Sequence, residues 1–362
     1  MYSKITLMAL GLVAACISTP AMAAPVADPM TRPAIAVREP DKAYLTSVTR
    51  AGKRLVAVGE HGIIVLSDDD GKAWRQAKAP TSATLTAVQF PSPRQGWATG
   101  HYGIVLHSED GGETWTRQLD GVQAAQLVLR DAETANGGAD NARYLADARR
   151  LVQDGPDKPL LGLYFTDERN GFVVGAYNLA LRTADGGETW TPFMRQLDNS
   201  KGNHLYAVCA AGDTVYVAGE QGLVLRSHDA GRTFERADTG YKGSFFAVGV
   251  LGNGEVVVAG LRGSAFRSAD GGRNWEQLAS PASVSITALA PRGRDELVLA
   301  NQAGQLLLSV AGSKALVPLK VPTLPPLNDV VVDPDGGVVV ASMFGAMRVP
   351  VVATSLDSQA AK

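Results

Sequence analysis

The sequence predicts an all-β protein, a seven-bladed β-propeller closed by an N-terminal strand and carrying one helical hairpin insertion. Three observations predict it: an octapeptide repeated five times, four-strand units around each copy, and turn glycines that keep a fixed interval. The octapeptides share the pattern S/T-x-D-x-G-x-x-W/F. They are SDDDGKAW (67–74), SEDGGETW (108–115), TADGGETW (183–190), SHDAGRTF (227–234) and SADGGRNW (268–275). Their central acids, Asp69, Asp110, Asp185, Asp229 and Asp270, are spaced by 41, 75, 44 and 41 residues. That period belongs to the blades of a propeller, and a repeat must be sought before domains are counted from length.

Each box sits in a larger unit. An opening strand such as Leu205-Tyr206-Ala207-Val208 is followed by a strand that ends in the turn Gly219-Glu220-Gln221-Gly222, then by Leu223-Val224-Leu225 and the box. A fourth strand such as Thr114-Trp115-Thr116-Arg117 follows. We call these strands A to D. Two further units lack a good box, one around Leu297–Ser309, where it has decayed to SVAGSKAL (309–316), and one around Val338–Val349. The turn glycines Gly222, Gly263, Gly304 and Gly345 fall 41 apart through both, which brings the blades to seven over residues 34–352. The last unit has no strand D. The stretch Ala34-Ile35-Ala36-Val37-Arg38 precedes the first strand A and is expected to supply it, closing the ring and removing an open sheet edge.

The excess in the 75-residue interval falls at 119–160, between blades two and three. Gln123–Ala135 and Asn141–Val152 carry apolar residues at helical spacing, Asn136-Gly137-Gly138 separates them, and Asp154-Gly155-Pro156 ends the second. A helical hairpin is expected, serving as a lid or a docking arm.

At the start, Lys4, the apolar run Ile5–Ile17 and Ala21-Met22-Ala23 read as a cleaved signal peptide (1–23) and place the chain in the periplasm or outside the cell. The rival reading is a lipobox, Val13-Ala14-Ala15-Cys16, with a lipid anchor at Cys16. Residues 353–362 form a polar tail. No later stretch is long and apolar enough for a transmembrane helix. Cys209, the other cysteine, lies in an apolar strand and reads as a core residue. With 34 Lys and Arg against 36 Asp and Glu, no basic surplus exists to neutralise a phosphate backbone, so nucleic acid is not an expected partner. The oligomeric state is not legible.

The box acids have two readings. As ligands or catalytic acids they would have to converge, but one per blade around a ring holds them apart. As turn formers they accept backbone N–H groups while the following glycine takes a positive φ. The structural reading is preferred. The turns between strands B and C lie on the opposite face. They carry Glu60-His61, His101-Tyr102, Ala176-Tyr177, Glu220-Gln221, Leu261-Arg262, Gln302-Ala303 and Met343-Phe344. Of these, His61, His101, Tyr102, Tyr177, Arg262 and Phe344 are candidates for partner binding, since aromatics and arginine dominate interface hot spots; the bland reading is a solvated turn. Arg182, Arg226 and Arg267 each precede a box and would stack into a basic stripe for carboxylates, or else pair between blades.

The unit G-x-x-G-x-[IVL]-x-[RH]-[ST]-x-D-G-G-x-T-W, best seen in HYGIVLHSEDGGETW (101–115), resembles the sialidase-type Asp-box repeats, and is closest to the photosystem II stability and assembly factor family and its bacterial relatives. The resemblance covers residues 40–350. It implies a seven-bladed propeller on the far side of a membrane that helps a membrane-protein complex to assemble through a basic arginine patch. Arg182, Arg226 and Arg267 match positions of that kind. The resemblance implies no cofactor and no activity; the helical insertion departs from the photosynthetic pattern.

An enzymatic alternative remains, a sialidase-like glycoside hydrolase working in the pore. It needs convergent carboxylates, or a Tyr–Glu pair with an arginine cluster. The candidate carboxylates are Glu60 and Glu220, and Arg32-Pro33 is a faint match to the sialidase arginine motif. Five scattered histidines give no metal-ligand spacing, so no metal site is expected.

Overall fold

The computed structural model describes residues 27–135 and 139–350. The signal peptide (1–23), the lipobox cysteine Cys16, the polar tail (353–362) and the Asn136-Gly137-Gly138 breaker lie outside the described residues.

Seven antiparallel sheets form the molecule, six of four strands and one of three, each in simple A–B–C–D order. Blade one runs Leu45–Ala51, Arg54–Gly59, Ile64–Ser67 and Arg75–Gln76. Strand B of every blade is apolar and buried, as in Leu55–Val58 and Val256–Ala259, because it faces a neighbouring sheet on both sides. The A strands touch one another in a ring that closes from blade seven to blade one.

The chain spends its box residues on the C–D turns. In blade two, Asp110 accepts the Ser108 hydroxyl at 2.9 Å and the Thr114 N–H at 3.0 Å. The Ser108 oxygen in turn accepts the Gly112 N–H at 2.8 Å, and the Trp115 indole donates to the Gly112 carbonyl. Asp69, Asp185, Asp229 and Asp270 repeat the acid's hydrogen bonds, and Trp74 and Trp275 repeat the indole bond. The donors from Thr189 hold Asp185 at about 2, and hydrogen bonds hold the other box acids below the usual carboxylate range.

Blades one to four are each tied forward onto the box turn of the next. Arg54 donates to the Gly111 carbonyl at 3.0 Å, Gln118 to Gly186 at 2.9 Å, Arg182 to Gly231 at 2.7 Å and Arg226 to Gly271 at 3.0 Å. Arg348 of blade seven reaches the Asp70 carbonyl of blade one at 2.9 Å.

The N-terminal segment does not join blade seven, whose sheet has three strands among the described residues. Residues 34–37 run along blade one instead. Ala34 N–H donates to the Ala79 carbonyl and Ile35 N–H to the His61 carbonyl, while the Gln76 amide bridges the Ile35 carbonyl and the Val37 N–H. Strand D of blade one is only two residues long, so its outer side offers as good a berth for the alternating segment. Closure falls to side chains. Asp329 of blade seven accepts Ser47 Oγ and Val48 N–H of blade one, Asn328 donates to the Leu45 carbonyl, and buried Asp333 pairs with Arg50 and Arg348.

Two helices leave the ring between blades two and three: α1 (Gly121–Thr134) and α2 (Ala139–Asp154). Asp120 and Gln123 form a capping box at the start of α1. Ala124, Val128 and Ala132 of α1 are buried in one cluster with Leu160, Leu179 and Trp190 of blade three. Arg143 of α2 donates to the Ser200 carbonyl at 2.7 Å, bracing the hairpin on the link beyond blade three. Its two ends meet: a Cβ on Gly121 would lie 2.9 Å from Pro156 Cα.

Candidate functional site

The B–C turns share one backbone. In the first five blades the second residue of the turn takes a left-handed φ: His61 (56°), Tyr102 (60°), Tyr177 (54°), Gln221 (54°) and Arg262 (57°). Such a φ is uncommon outside glycine and costs of order 1 kcal/mol or more. The third residue is Asn178, at φ 65°, in blade three and glycine in the other four, where the link from strand D to the next strand A crosses the turn. A Cβ at Gly62 would sit 1.9 Å from the Thr81 carbonyl oxygen, and one at Gly222 would sit 1.8 Å from that of Tyr241. In blade seven the same place over Gly345 is filled by Asp41, in the segment that leads into blade one.

The turns therefore sit beneath the links, at the middle of each sheet. Among the described residues no hydrogen bond or ring contact joins any two of His61, His101, Tyr102, Tyr177, Arg262 and Phe344, so these six are spread around the face. His61, His101, Tyr177, Arg262 and Phe344 are exposed, and Tyr102 is half-buried against the core of blades one and two. Arg182, Arg226 and Arg267 stand at the far end of strand C, on the box face. Arg182 and Arg226 are engaged with the next blade as described. Arg226 also pairs with Glu235 at 2.7 Å, and Arg267 pairs with Glu255 at 3.5 Å and Glu276 at 3.1 Å. Arg32 donates to Ser82 Oγ at 2.9 Å, away from the channel.

What the B–C face shares is exposed apolar surface. The exposed large hydrophobics among the described residues are Ile35, Val122, Tyr177, Leu261, Met343 and Phe344, and all six lie on this face. Tyr177 and Phe344 are 61% and 63% exposed, beyond what packing requires of them. Ile35 is held on the turn of blade one through His61, and Val122 opens α1 beside the turn glycine of blade two.

A contiguous group lies at the channel mouth over blades three to five. Tyr177 meets His204 edge-to-face at 4.7 Å, His204 meets Tyr206 at 6.4 Å, and Tyr206 meets Phe246 at 5.1 Å. Glu220 accepts the His204 N–H at 2.9 Å and the Tyr206 hydroxyl at 3.3 Å. Burial, then the Glu220 charge, pushes the Tyr206 phenol up to about 12. Lys158, from the end of the helical insertion, stands 5.3 Å over the Tyr177 ring. Sequence reasoning named Tyr177 and Glu220 but missed His204, Tyr206 and Phe246. The signal was present: the second residue of strand A is Thr46, Thr86, Thr287 or Asn328 in four blades, but Leu161, Tyr206 and Phe246 in three consecutive ones.

A ring of seven sheets, five of them carrying an Asp box, self-tied on the box face and tipped with apolar side chains on the other, defines the chain as an Asp-box β-propeller. The model of the family described as Photosynthesis system II assembly factor YCF48 matches residues 40–121 and 146–312, and the chain belongs to that family. The gap in the match falls within the helical hairpin. A curated relative, "Photosystem II assembly lipoprotein Ycf48" of Synechococcus sp. (strain CC9902), is 31% identical over 94 residues. That match spans 25% of this chain and 28% of the relative's length. The solved structure "YCF48 bound to D1 peptide" superposes with a TM-score of 0.62 at 18% identity, covering 89% of this chain and 100% of that one. YCF48 from Cyanidioschyzon merolae gives 0.53 at 19% identity, covering 76% and 88%. A streptogramin B lyase gives 0.66 at 12% identity, covering 87% and 96%. At such identities the likeness is one of fold, and it takes in a lyase as well as the YCF48 structures.

Proposed function

We propose that this chain is a non-catalytic periplasmic assembly factor that docks a membrane-protein complex of the cell envelope through its B–C face. The observation that carries this reading is the gathering of every exposed large hydrophobic among the described residues on that one face. That all of them share one face supports it as the interaction surface. The family supports a polypeptide partner: one relative is named for photosystem II assembly and one solved structure for a bound D1 peptide. The hairpin, most of which lies outside the family match, gives this chain a docking arm of its own beside Tyr177. A signal segment delivers it across the membrane, leaving it either free after cleavage or anchored by a lipid on Cys16; the Synechococcus relative is named a lipoprotein. Among the described residues no helix is long and apolar enough to cross a membrane.

The test is co-purification of envelope membrane proteins with the tagged chain, compared with Tyr177→Ser/Phe344→Ser. Capture by the parent and loss in the variant, with unfolding temperature unchanged, is the expected result. Equal capture by both removes the B–C face from the reading.

One observation favours the glycosidase alternative, the Tyr206–Glu220 pair at the channel mouth. Against it, the phenol is pushed up to about 12 by burial, away from a nucleophile's range. The arginines that would hold an acidic sugar, Arg182, Arg226 and Arg267, stand on the other face. Turnover of a fluorogenic sialoside, abolished by Glu220→Gln, would establish the enzyme.

A further inference from the structure

The second residue of strand A is a β-bulge in every blade, and in four of them it ties the inner ring together. Thr46 donates to the Leu85 carbonyl of the next blade at 2.7 Å, Thr86 to Leu160 at 2.6 Å, Thr287 to Leu327 at 2.9 Å and Asn328 to Leu45 at 2.7 Å. Blades three, four and five give up this tie in succession and place Leu161, Tyr206 and Phe246 there. Where a repeat drops a structural device at neighbouring positions, function is the first place to look.

The sector has its own chemistry. Four rings, Tyr177, His204, Tyr206 and Phe246, follow one another edge-to-face from the middle of the sheet to the channel. Glu220 sits against two of them, half-buried, and among the described residues no cation pairs with it. His204 is not one: its Nδ1 accepts the Tyr177 N–H at 2.9 Å, which puts its proton on Nε2. Bulge side chains, ring faces and an uncompensated carboxylate together make a receptor for positive charge. Tyr177 already hosts one cation, Lys158, over its ring.

We propose that the Tyr206–Phe246 sector, with Glu220, binds a basic side chain of the partner polypeptide, its cation on the rings and its charge met by the carboxylate. Arginine suits it better than lysine, because a planar guanidinium stacks on rings and forks onto a carboxylate. The proposal rests on the B–C face being the docking surface, and it states what that surface reads.

Acetyl-arginine amide is the probe, titrated into the isotope-labelled full chain while the amide resonances of residues 204–207 and 244–247 are followed. Saturable shifts are expected, weaker with acetyl-lysine amide and absent with the neutral acetyl-glutamine amide. Glu220→Gln keeps an acceptor for the His204 N–H and should weaken binding roughly tenfold. Phe246→Ala should weaken it too, in a variant shown to be folded by circular dichroism. No saturable shift in the parent, or an equal response to the glutamine amide, overturns the proposal. Partner capture is scored separately, so a chain that captures its complex yet ignores arginine amide loses this proposal and keeps the docking reading.

Discussion

Asp329 in blade seven accepts the hydroxyl of Ser47 in blade one at 2.7 Å, joining residues 282 positions apart in the chain. Burial lifts this carboxyl to about 6 from 3.8, against the pull of its donors Ser47, Val48 and Val330. The folded value lies above the unfolded one, so the favourable contribution is whole below pH 3.8 and is lost as pH rises through 6. The stability of the parent should fall over that window by up to about 3 kcal/mol. Urea unfolding at a series of pH values measures the slope. Asp329→Asn, which cannot ionise, should flatten it; a slope that persists in the variant assigns the effect to another group.

Acid acts on the box face with the opposite sign. Asp185 is held at about 2 by Thr189 and Thr183, so what it adds is present above the ordinary carboxylate range and is lost as pH falls towards 2. Asp185→Ala should lower the unfolding temperature at pH 7 and remove part of the acid limb below pH 4, leaving partner capture intact. Differential scanning calorimetry with a parallel pull-down decides both.

Arg182 separates two roles for the basic stripe. Its bond to the Gly231 carbonyl predicts that Arg182→Ala costs about 1–2 kcal/mol of stability without changing partner capture. Lost capture at unchanged stability would restore the stripe as a binding site.

The turn glycines should be intolerant. At Gly222 a Cβ meets the Tyr241 carbonyl at 1.8 Å and φ is 74°, whereas at Gly202, φ 67°, nothing lies within 4 Å. Gly222→Ala is expected to cost more than about 3 kcal/mol through overpacking and strain. Gly202→Ala should cost about 1 kcal/mol, through its φ alone. Thermal melts of the two variants give the comparison.

Because Gly121 and Pro156 touch, removing residues 122–154 should leave a chain that still folds. The loss will be moderate, since Ala124, Val128 and Ala132 no longer cover Leu179. Partner capture is expected to fail in this variant; full capture would exclude the hairpin from docking.

The architecture was legible because its signals are local and repeated. Asp110 and Trp115 recur at fixed offsets within one turn, and the turn glycines are dictated by the link backbone that crosses them. The hairpin announced itself through the spacing of Leu127, Tyr144 and Leu151. Closure was not legible: the alternation in Ala34–Val37 indicates an extended segment but not which edge will take it, and Gln76 decides that through its side chain. The channel mouth was only partly legible. Tyr177 and Glu220 stand in turns that stood out, whereas Tyr206 and Phe246 lie inside strands and differ from their counterparts only when the seven A strands are aligned.

The forward ties have a direction. Arg54, Gln118, Arg182 and Arg226 each wait, in a blade already made, for a carbonyl that arrives with the following one. A chain delivered N-terminus first can thus lay down its blades like courses of brick, each gripping the next as it appears. The last blade must reach backwards, through Asn328 to Leu45, Asp329 to Ser47 and Arg348 to Asp70. A protein truncated before Asn328 would be a finished arc with both of its ends exposed, a target for proteases rather than a smaller wheel.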